Sequence, residues 1–349
     1  NEIVARAAIF FCGKISGGVI MKNCKRILCL LLTAVICFMF AVFTGCNKKA
    51  DYNIGILQVD THNALDNARQ GFEDRLNEWA KGKGKTIKFD EKNAKGDQNN
   101  EKSFAQNLGK SRNDILLGIA TSSARALATE TTKIPVLFTA VTDPERAGLT
   151  GNVHKNVTGT SDAVSTAAQI EFIKKIVPDC KKVGFVFCSN EENSLTQIEA
   201  AEKKCKELGI ESQRFSAEST SNIQTVVESI GSDVDAVYVP TDNLIAANMT
   251  IVSNSLTAKG IPIVAAESGL CDDNEAVATL GLDYYKLGVQ TAEIAIEILE
   301  GKSPSEIPFR TYDPKLYDVF INANNAKKLM EKNPSLKLSD EDIKNILGK

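Results

Sequence analysis

The chain reads as an α/β protein of two Rossmann-like lobes, each built on a parallel sheet, joined by a hinge that the chain crosses several times. Three observations predict this. From residue 51 onward, short apolar runs alternate with helical patterns, as they do where parallel strands are covered by helices on both faces. The runs fall into two sets, four βα units before the polar, Gly-containing stretch of residues 142–161 and four more up to Ala265, which calls for two sheets. Finally, the strands at Leu116-Leu117-Gly118-Ile119 and Val136-Leu137-Phe138 break into hydroxyl-rich turns, Thr121-Ser122-Ser123 and Thr139-Ala140-Val141-Thr142-Asp143. Open α/β sheets bind ligands outside such strand ends, where helix N-terminal N–H groups and short hydroxyls offer hydrogen bonds. A recognition site is therefore indicated before a catalytic one.

The elements follow in order. Ile54-Gly55-Ile56-Leu57 is the first strand, and Leu65, Ala68, Phe72, Leu76 and Trp79 mark one face of the helix after it. Residues 115–119, 136–138, 183–187, 236–239 and 263–265 repeat the strand signal. Leu195, Ile198, Cys205 and Leu208 form a helical stripe that Gly209 stops in the manner of a left-handed cap. A strand-like segment at residues 277–282 precedes a long helix marked by Leu287, Thr291, Ile294, Ala295 and Ile298, which ends before Gly301. The expected first lobe takes residues 46–160 with 268–303, and the second takes 161–267 with 304–335. Residues 336–349 are expected as a C-terminal tail. The hinge is expected near Ser161, Glu267-Ser268 and residues 303–310.

The 41 Lys and Arg against 44 Asp and Glu leave no large field of one sign, so nucleic acid is not an expected partner. The first residues are not expected in the fold. Lys22, Lys25 and Arg26 precede the apolar run of residues 27–43, followed by Thr44-Gly45-Cys46 and an abrupt polar turn. This is the pattern of a bacterial lipoprotein export signal over residues 21–45, and the run is shorter than the roughly 20 residues of a spanning helix. Met21 is the expected start, with residues 1–20 a translation extension, and Cys46 the expected lipidation site. Four cysteines, Cys180, Cys188, Cys205 and Cys271, belong to the body without any Cys-x-x-Cys pair. They suit small buried hydrophobes, although an exported protein could pair Cys180 with Cys205. No metal site and no cofactor are expected.

Five blocks occur in order: Thr139-Ala140-Val141-Thr142-Asp143-Pro144, Val157-Thr158-Gly159-Thr160-Ser161-Asp162, Asn190-Glu191-Glu192-Asn193-Ser194, Val239-Pro240-Thr241-Asp242-Asn243, and the stretch from Thr279-Leu280-Gly281-Leu282-Asp283 to Gly288. Across residues 53–321 the chain resembles the ABC-transporter substrate-binding family that includes tryptophan and tyrosine binders. The resemblance implies the type I periplasmic binding protein fold, with three crossovers and a ligand closed between two lobes. It also implies an aromatic amino acid as ligand, and a permease and ATPase as partners.

The candidate ligand contacts all lie at strand ends. Gln58 closes the first strand, and His62 either meets the ligand or is a loop histidine beside a helix start. Thr121, Ser122 and Ser123 enter a helix, where capping and anion binding coincide; Thr142 and Asp143 leave the fourth strand, and Asp143-Pro144 could equally be a turn. Ser161 and Asp162 stand at the interlobe stretch. In the second lobe Asn190 and Glu192 are the candidates beside Asn193 or Ser194, which are expected to cap the helix. Asp242, with Glu267 as the alternative, is the expected partner of an ammonium group, and the Thr121-Ser122-Ser123 helix start that of a carboxylate. Ser268 and Asp283 complete the set. Phe187 and Tyr238 suit the core better than a ligand wall, leaving Tyr284 and Tyr285 as aromatic candidates. No nucleophile elbow or HExxH motif occurs, and Gly84-Lys85-Thr86 lacks the earlier glycine of a P-loop. The expected function is an extracytoplasmic solute-binding lipoprotein of an ABC importer, acting as a monomer anchored through Cys46 to the cell membrane. The alternative is a surface sensor of a small polar solute that does not transport it.

Overall fold

The apolar runs form strands because helices cover both of their faces. The first series comprises β1 (Tyr52–Gln58), α1 (Asn63–Gly82), β2 (Ile87–Asn93), α2 (Gln98–Lys110), β3 (Ile115–Ile119), α3 (Thr121–Glu130), β4 (Val136–Val141) and β5 (Val157–Ser161). The second begins with α4 (Thr166–Ile176), β6 (Lys182–Cys188), α5 (Glu192–Leu208), β7 (Glu211–Ala217), α6 (Thr220–Glu228) and β8 (Ala236–Val239). It continues through α7 (Asn243–Ala247), α8 (Met249–Lys259), β9 (Ile263–Ala265), α9 (Gly269–Asp272) and β10 (Ala278–Gly281). The chain then forms α10 (Tyr284–Leu299), β11 (Arg310–Thr311), β12 (Asp318–Ile321), α11 (Ala323–Lys332) and α12 (Asp340–Leu347). This computed structural model describes residues 49–151, 154–272, 275–312 and 317–347; the expected export signal and Cys46 lie outside the described residues.

Two six-stranded sheets result, ordered β2-β1-β3-β4-β5-β11 and β7-β6-β8-β9-β10-β12. The two lobes therefore share one winding order. Pairing is parallel except where β12 runs antiparallel to β10, so within each lobe the strands other than β12 point their carboxyl ends the same way. Two doubly wound α/β lobes of this kind are the fold class that the sequence predicts.

Among the described residues the chain changes lobe three times, at residues 162–165, at residues 282–283 and from β11 to β12. The expected lobe boundaries shift accordingly. β10 falls in the span assigned to the first lobe, yet it pairs in the second sheet, and Val277 and Ala278 are buried in that lobe's core. β11 falls in the span assigned to the second lobe, yet it pairs with β5. Residues 303–310 are thus part of the first lobe rather than a crossing, with the Thr158 hydroxyl donating to the Ile307 carbonyl at 2.8 Å. The expected tail is not one either: Leu336 and Leu338 are buried in the second-lobe core, and α12 follows them.

Side chains tie the crossings together. The Tyr284 hydroxyl donates to Asp162 Oδ2 at 2.8 Å, joining the second crossing to the first. The Tyr317 hydroxyl donates to the Ala163 carbonyl at 2.8 Å, joining the third to the first. Ser268 donates to the Leu282 carbonyl at 2.9 Å, so Glu267-Ser268 braces a crossing without being one.

The first lobe packs α10 against α1 with almost no space between them. A Cβ at Gly288 would stand 1.9 Å from the Ala68 carbonyl oxygen, and one at Gly71 would stand 2.1 Å from that of Tyr285. Only glycine permits this approach. It fixes Tyr284, at the start of α10, relative to the first sheet. In the second lobe Cys180 and Cys205 are buried in one core as free thiols. Burial pushes them up to about 11 and about 12, as suits packing groups rather than reactive ones.

Candidate ligand-binding cleft

The carboxyl ends of both sheets face one another across a cleft of about 200 Å³. The first lobe contributes Val59 and Asp60 after β1, Glu101 from α2, and Thr121, Ser122 and Arg125 from α3. The second contributes Cys188 at the end of β6, Asn190 and Glu191 after it, Glu192 and Asn193 from α5, and Asn243 and Leu244 from α7. Asp60, Asp97, Glu101, Glu191, Glu192 and Glu218 surround it against the single guanidinium of Arg125. The field in the cleft favours a cationic group.

The start of α3 departs from the expected arrangement. Its N-cap residue is Ala120, held at φ 79°, and no side chain caps it. Ser122 and Ser123 instead donate their hydroxyls to Glu101 Oε1 at 2.8 and 2.7 Å. Burial raises the Glu101 carboxyl, and the two serine hydroxyls partly offset this. A carboxylate of the protein thus already faces two of the three hydroxyls proposed for a ligand carboxylate, while Thr121 lines the cleft.

Opposite, the α5 helix begins at Glu192 with Glu191 as its N-cap residue, so Asn193 and Ser194 do not cap it. Both are buried and turned to the next strand end: Asn193 Nδ2 donates to the Thr241 carbonyl at 2.6 Å, and Ser194 Oγ donates to Asp242 Oδ2 at 2.7 Å. Glu191 accepts from Asn243 Nδ2, Asn243 N and Leu244 N at 2.7–3.0 Å, and so neutralises the orphan N–H groups that start α7.

Asp242 is only 1% exposed and fully engaged. Oδ1 accepts from Ile245 N at 2.8 Å as the cap of α7, while Oδ2 accepts from Cys188 N at 2.5 Å as well as from Ser194. It does not line the cleft. Burial, with the Glu191 charge next, holds its carboxyl well above the usual range. The acidic residue favoured in the sequence therefore has its acceptor positions taken by the protein's own donors.

The other expected residues are placed as follows. Gln58 is buried, and its Nε2 donates to the Asp60 carbonyl and to Asp66 Oδ1. His62, at the start of α1, reaches across to Asn243 Oδ1 with Nε2 at 3.3 Å. Its Nδ1 has no partner, and burial pushes the ring down to about 4. Asp143 accepts from Arg146 N at 2.9 Å, which is the turn reading. Ser161 donates to the Thr142 carbonyl at 3.2 Å. Asn190 and Glu192 line the cleft. Asp283 caps α10 through Lys286 N at 3.2 Å and stands apart from the cleft.

Glu267 and Asp162 are the exceptional pair: like Asp242 they are not among the residues lining the cleft, but unlike it they keep acceptor atoms without a donor. Glu267, after β9, is 1% exposed and Asp162, after β5, is 2% exposed. Both oxygens of Glu267 and Oδ1 of Asp162 have no hydrogen-bond partner. Burial raises the Asp162 carboxyl, an effect that the Tyr284 and Thr142 hydroxyls partly offset. Burial also holds Glu267 well above the usual range, with the charges of Asp162, Asp242 and Glu191 adding to it.

Glu101, Glu191, Arg125 and Asn243 also line the cleft, beyond the residues expected there from the sequence. Glu101 sits on a helix whose first turn is otherwise solvated, and Arg125 lies one turn beyond the strand end, where no motif marks it. Phe187 and Tyr238 are core residues as expected, the Tyr238 hydroxyl donating to Gln169 Oε1 at 2.7 Å.

Residues 53–336 match the family model for the ABC transporter substrate binding protein. The chain belongs to that family. It is 36% identical over 344 residues to a tyrosine-binding protein of Clostridioides difficile strain R20291, covering 93% of this chain and 97% of the relative. Among solved structures, an ABC domain in complex with L-Trp from Streptococcus pneumonia is 31% identical and superposes with a TM-score of 0.76, over 84% of this chain and 98% of that one. The ligand-free, open structure of a substrate binding protein with adhesive properties from Clostridium difficile is 36% identical, yet its TM-score is 0.61, over 80% and 94%. The family and the fold are those of type I periplasmic binding proteins, which capture solutes and are not enzymes. Among the described residues no helix is long and apolar enough to cross a membrane.

Proposed function

We propose that this chain is the extracytoplasmic, lipid-anchored component of an ABC importer that captures an aromatic amino acid, tryptophan or tyrosine, between its lobes and delivers it to the permease. The cleft carries this reading, because both lobes line it from the carboxyl ends of their strands, where open α/β sheets take ligands. The 36% identity to a tyrosine-binding protein and the likeness to an L-Trp complex support the choice of ligand class. The lobes stand close together, since Arg125 and Arg146 of the first pair with Glu192 and Glu199 of the second. The better superposition on the L-Trp complex than on the open relative agrees with a closed form. Anchoring rests on Cys46 after the apolar run of residues 27–43, and two or more acyl chains there would hold the protein stably on a membrane.

Thr121, Ser122, Asn190 and Glu192 line the cleft and are the ligand-facing residues of this reading; His62 is tied to the cleft through Asn243, and Gln58, Ser123, Thr142, Asp143, Ser161 and Ser268 support their neighbours. A thermal-shift screen of the chain against amino acids, sugars and nucleosides tests the ligand class, because a ligand that binds only the folded state raises the melting temperature by mass action. Tryptophan or tyrosine should give the largest rise. Stabilisation by a sugar or nucleoside with no response to either amino acid would overturn it.

A further inference from the structure

We propose that Glu267, seconded by Asp162, is the subsite that receives a primary ammonium group of the ligand. The inference rests on the reading of the chain as an amino-acid binder and says which atoms of the protein recognise the amine. It starts from cost. A carboxylate removed from water must meet hydrogen-bond donors or an opposite charge, or its burial is strongly unfavourable. Asp242 meets that requirement within the protein, through Ile245 N, Cys188 N and Ser194 Oγ. Glu267 is just as buried and meets none of it.

The surroundings identify the missing partner. The charges acting on Glu267 are those of Asp162, Asp242 and Glu191, all negative, so a side-chain cation does not balance them. Asp162 is the foremost of these charges, and its Oδ2 takes the Tyr284 hydroxyl while Oδ1 remains unpartnered. Three acceptor atoms are thus left, two on Glu267 and one on Asp162. An ammonium group carries three N–H donors and one positive charge, which matches that set in number and in sign. A bound metal is a poorer match, because no group of three or more His, Cys, Asp or Glu side chains among the described residues is arranged to hold one.

The position fits as well. Glu267 follows β9 of the second sheet and Asp162 follows β5 of the first, so the two carboxylates come from opposite lobes at the carboxyl ends of their strands. Ser268 and Tyr284 fix both through the crossings, by the Ser268 bond to the Leu282 carbonyl and the Tyr284 bond to Asp162. An ammonium group placed there would draw on both lobes at once, and binding would favour closure.

The test compares each amino acid with its analogue lacking the amine, in the full chain and in Glu267→Gln and Asp162→Asn. Titration calorimetry uses L-tryptophan against 3-indolepropionate and L-tyrosine against 3-(4-hydroxyphenyl)propionate. Glu267→Gln should weaken amino-acid binding by about 30-fold or more, the scale for breaking a buried charge pair, with little effect on the weaker binding of the analogues. Asp162→Asn should act in the same direction with a smaller change. A Glu267→Gln chain that binds the amino acid as the parent does overturns the subsite and leaves the aromatic ligand standing. Should the parent bind neither tryptophan nor tyrosine but another amine, with that binding lost in Glu267→Gln, the ligand assignment fails and the subsite holds. A parent that responds to no amine overturns both.

Discussion

Arg125 on α3 and Glu192 at the start of α5 meet at 2.9 Å, one from each lobe. Arg146 approaches the same carboxylate at 3.6 Å and reaches Glu199 at 3.0 Å, so two arginines of the first lobe grip one helix of the second. These side chains are partly exposed, and such pairs are worth only about 0.2–1 kcal/mol each and weaken with salt. The grip can bias the balance between open and closed lobes without locking it. Glu192→Lys, which reverses the charge beside both arginines, should make the ligand-free chain more extended in small-angle scattering at low salt. An unchanged profile would show that these ion pairs do not hold the lobes together.

Asp242 carries a different expectation. Its three protein donors make it a structural group, so Asp242→Ala should lower the stability of the ligand-free chain by about 2 kcal/mol, from a lost helix cap and a stranded N–H at Cys188. Urea unfolding measures this directly. A variant with the parent's midpoint but weakened amino-acid binding would return Asp242 to the ligand site.

Gly288 is constrained by the backbone of α1 rather than by any ligand. Adding one methyl in Gly288→Ala forces the helices apart, because the obstructing atom is the Ala68 carbonyl oxygen. A loss of about 1–3 kcal/mol is expected, read as a lower denaturant midpoint. Gly82→Ala, where nothing stands within 4 Å, is the control that should leave stability nearly unchanged.

Two buried groups should give the ligand-free chain opposite pH dependences. Glu267 has its carboxyl raised well above 4.5 in the folded state by burial and by Asp162, Asp242 and Glu191. The folded chain thus holds a proton that the unfolded chain has released, and stability falls as pH rises from about 4.5 through the folded value. Glu267→Gln should make that decline shallower. His62 is pushed from 6.5 down to about 4 by burial, so its contribution is present above 6.5 and is lost as pH falls toward 4. His62→Gln should remove that acid-side loss, as followed by melting temperature between pH 4 and 8. A parent and variant with parallel profiles on the relevant side would contradict the corresponding assignment.

The sequence made the core strands legible because both their faces are apolar, as in β3 and β4. The edge strands β2 and β7 have no such run: Ile87-Lys88-Phe89-Asp90 and Glu211-Ser212-Gln213-Arg214 leave most positions in contact with solvent. β5 lay hidden in a stretch read as polar, since its burial is met by hydroxyls, with Thr160 Oγ1 bonded to Thr139 at 3.1 Å and to Thr291 at 2.6 Å. At the cleft, sequence order pointed to the turns that line it but not to the contacts that each side chain makes there. Asn190, Glu191 and Glu192 are neighbours in the chain, yet Glu191 accepts from the first N–H groups of α7 while Glu192 meets the arginines. That Asp242 is fully bonded within the protein while Glu267 is not was likewise invisible in sequence. It depends on which carboxylate finds donors within the folded chain, and that is a property of the packing between strand ends.

A crystal structure of the chain grown with L-tryptophan or L-tyrosine tests the central claim most directly. It should show one amino acid between the lobes, its ammonium group within hydrogen-bond distance of Glu267 and its remainder enclosed by residues from both strand-end sets. An amino acid bound outside the cleft, or a cleft that stays without it at saturating concentration, would contradict the account.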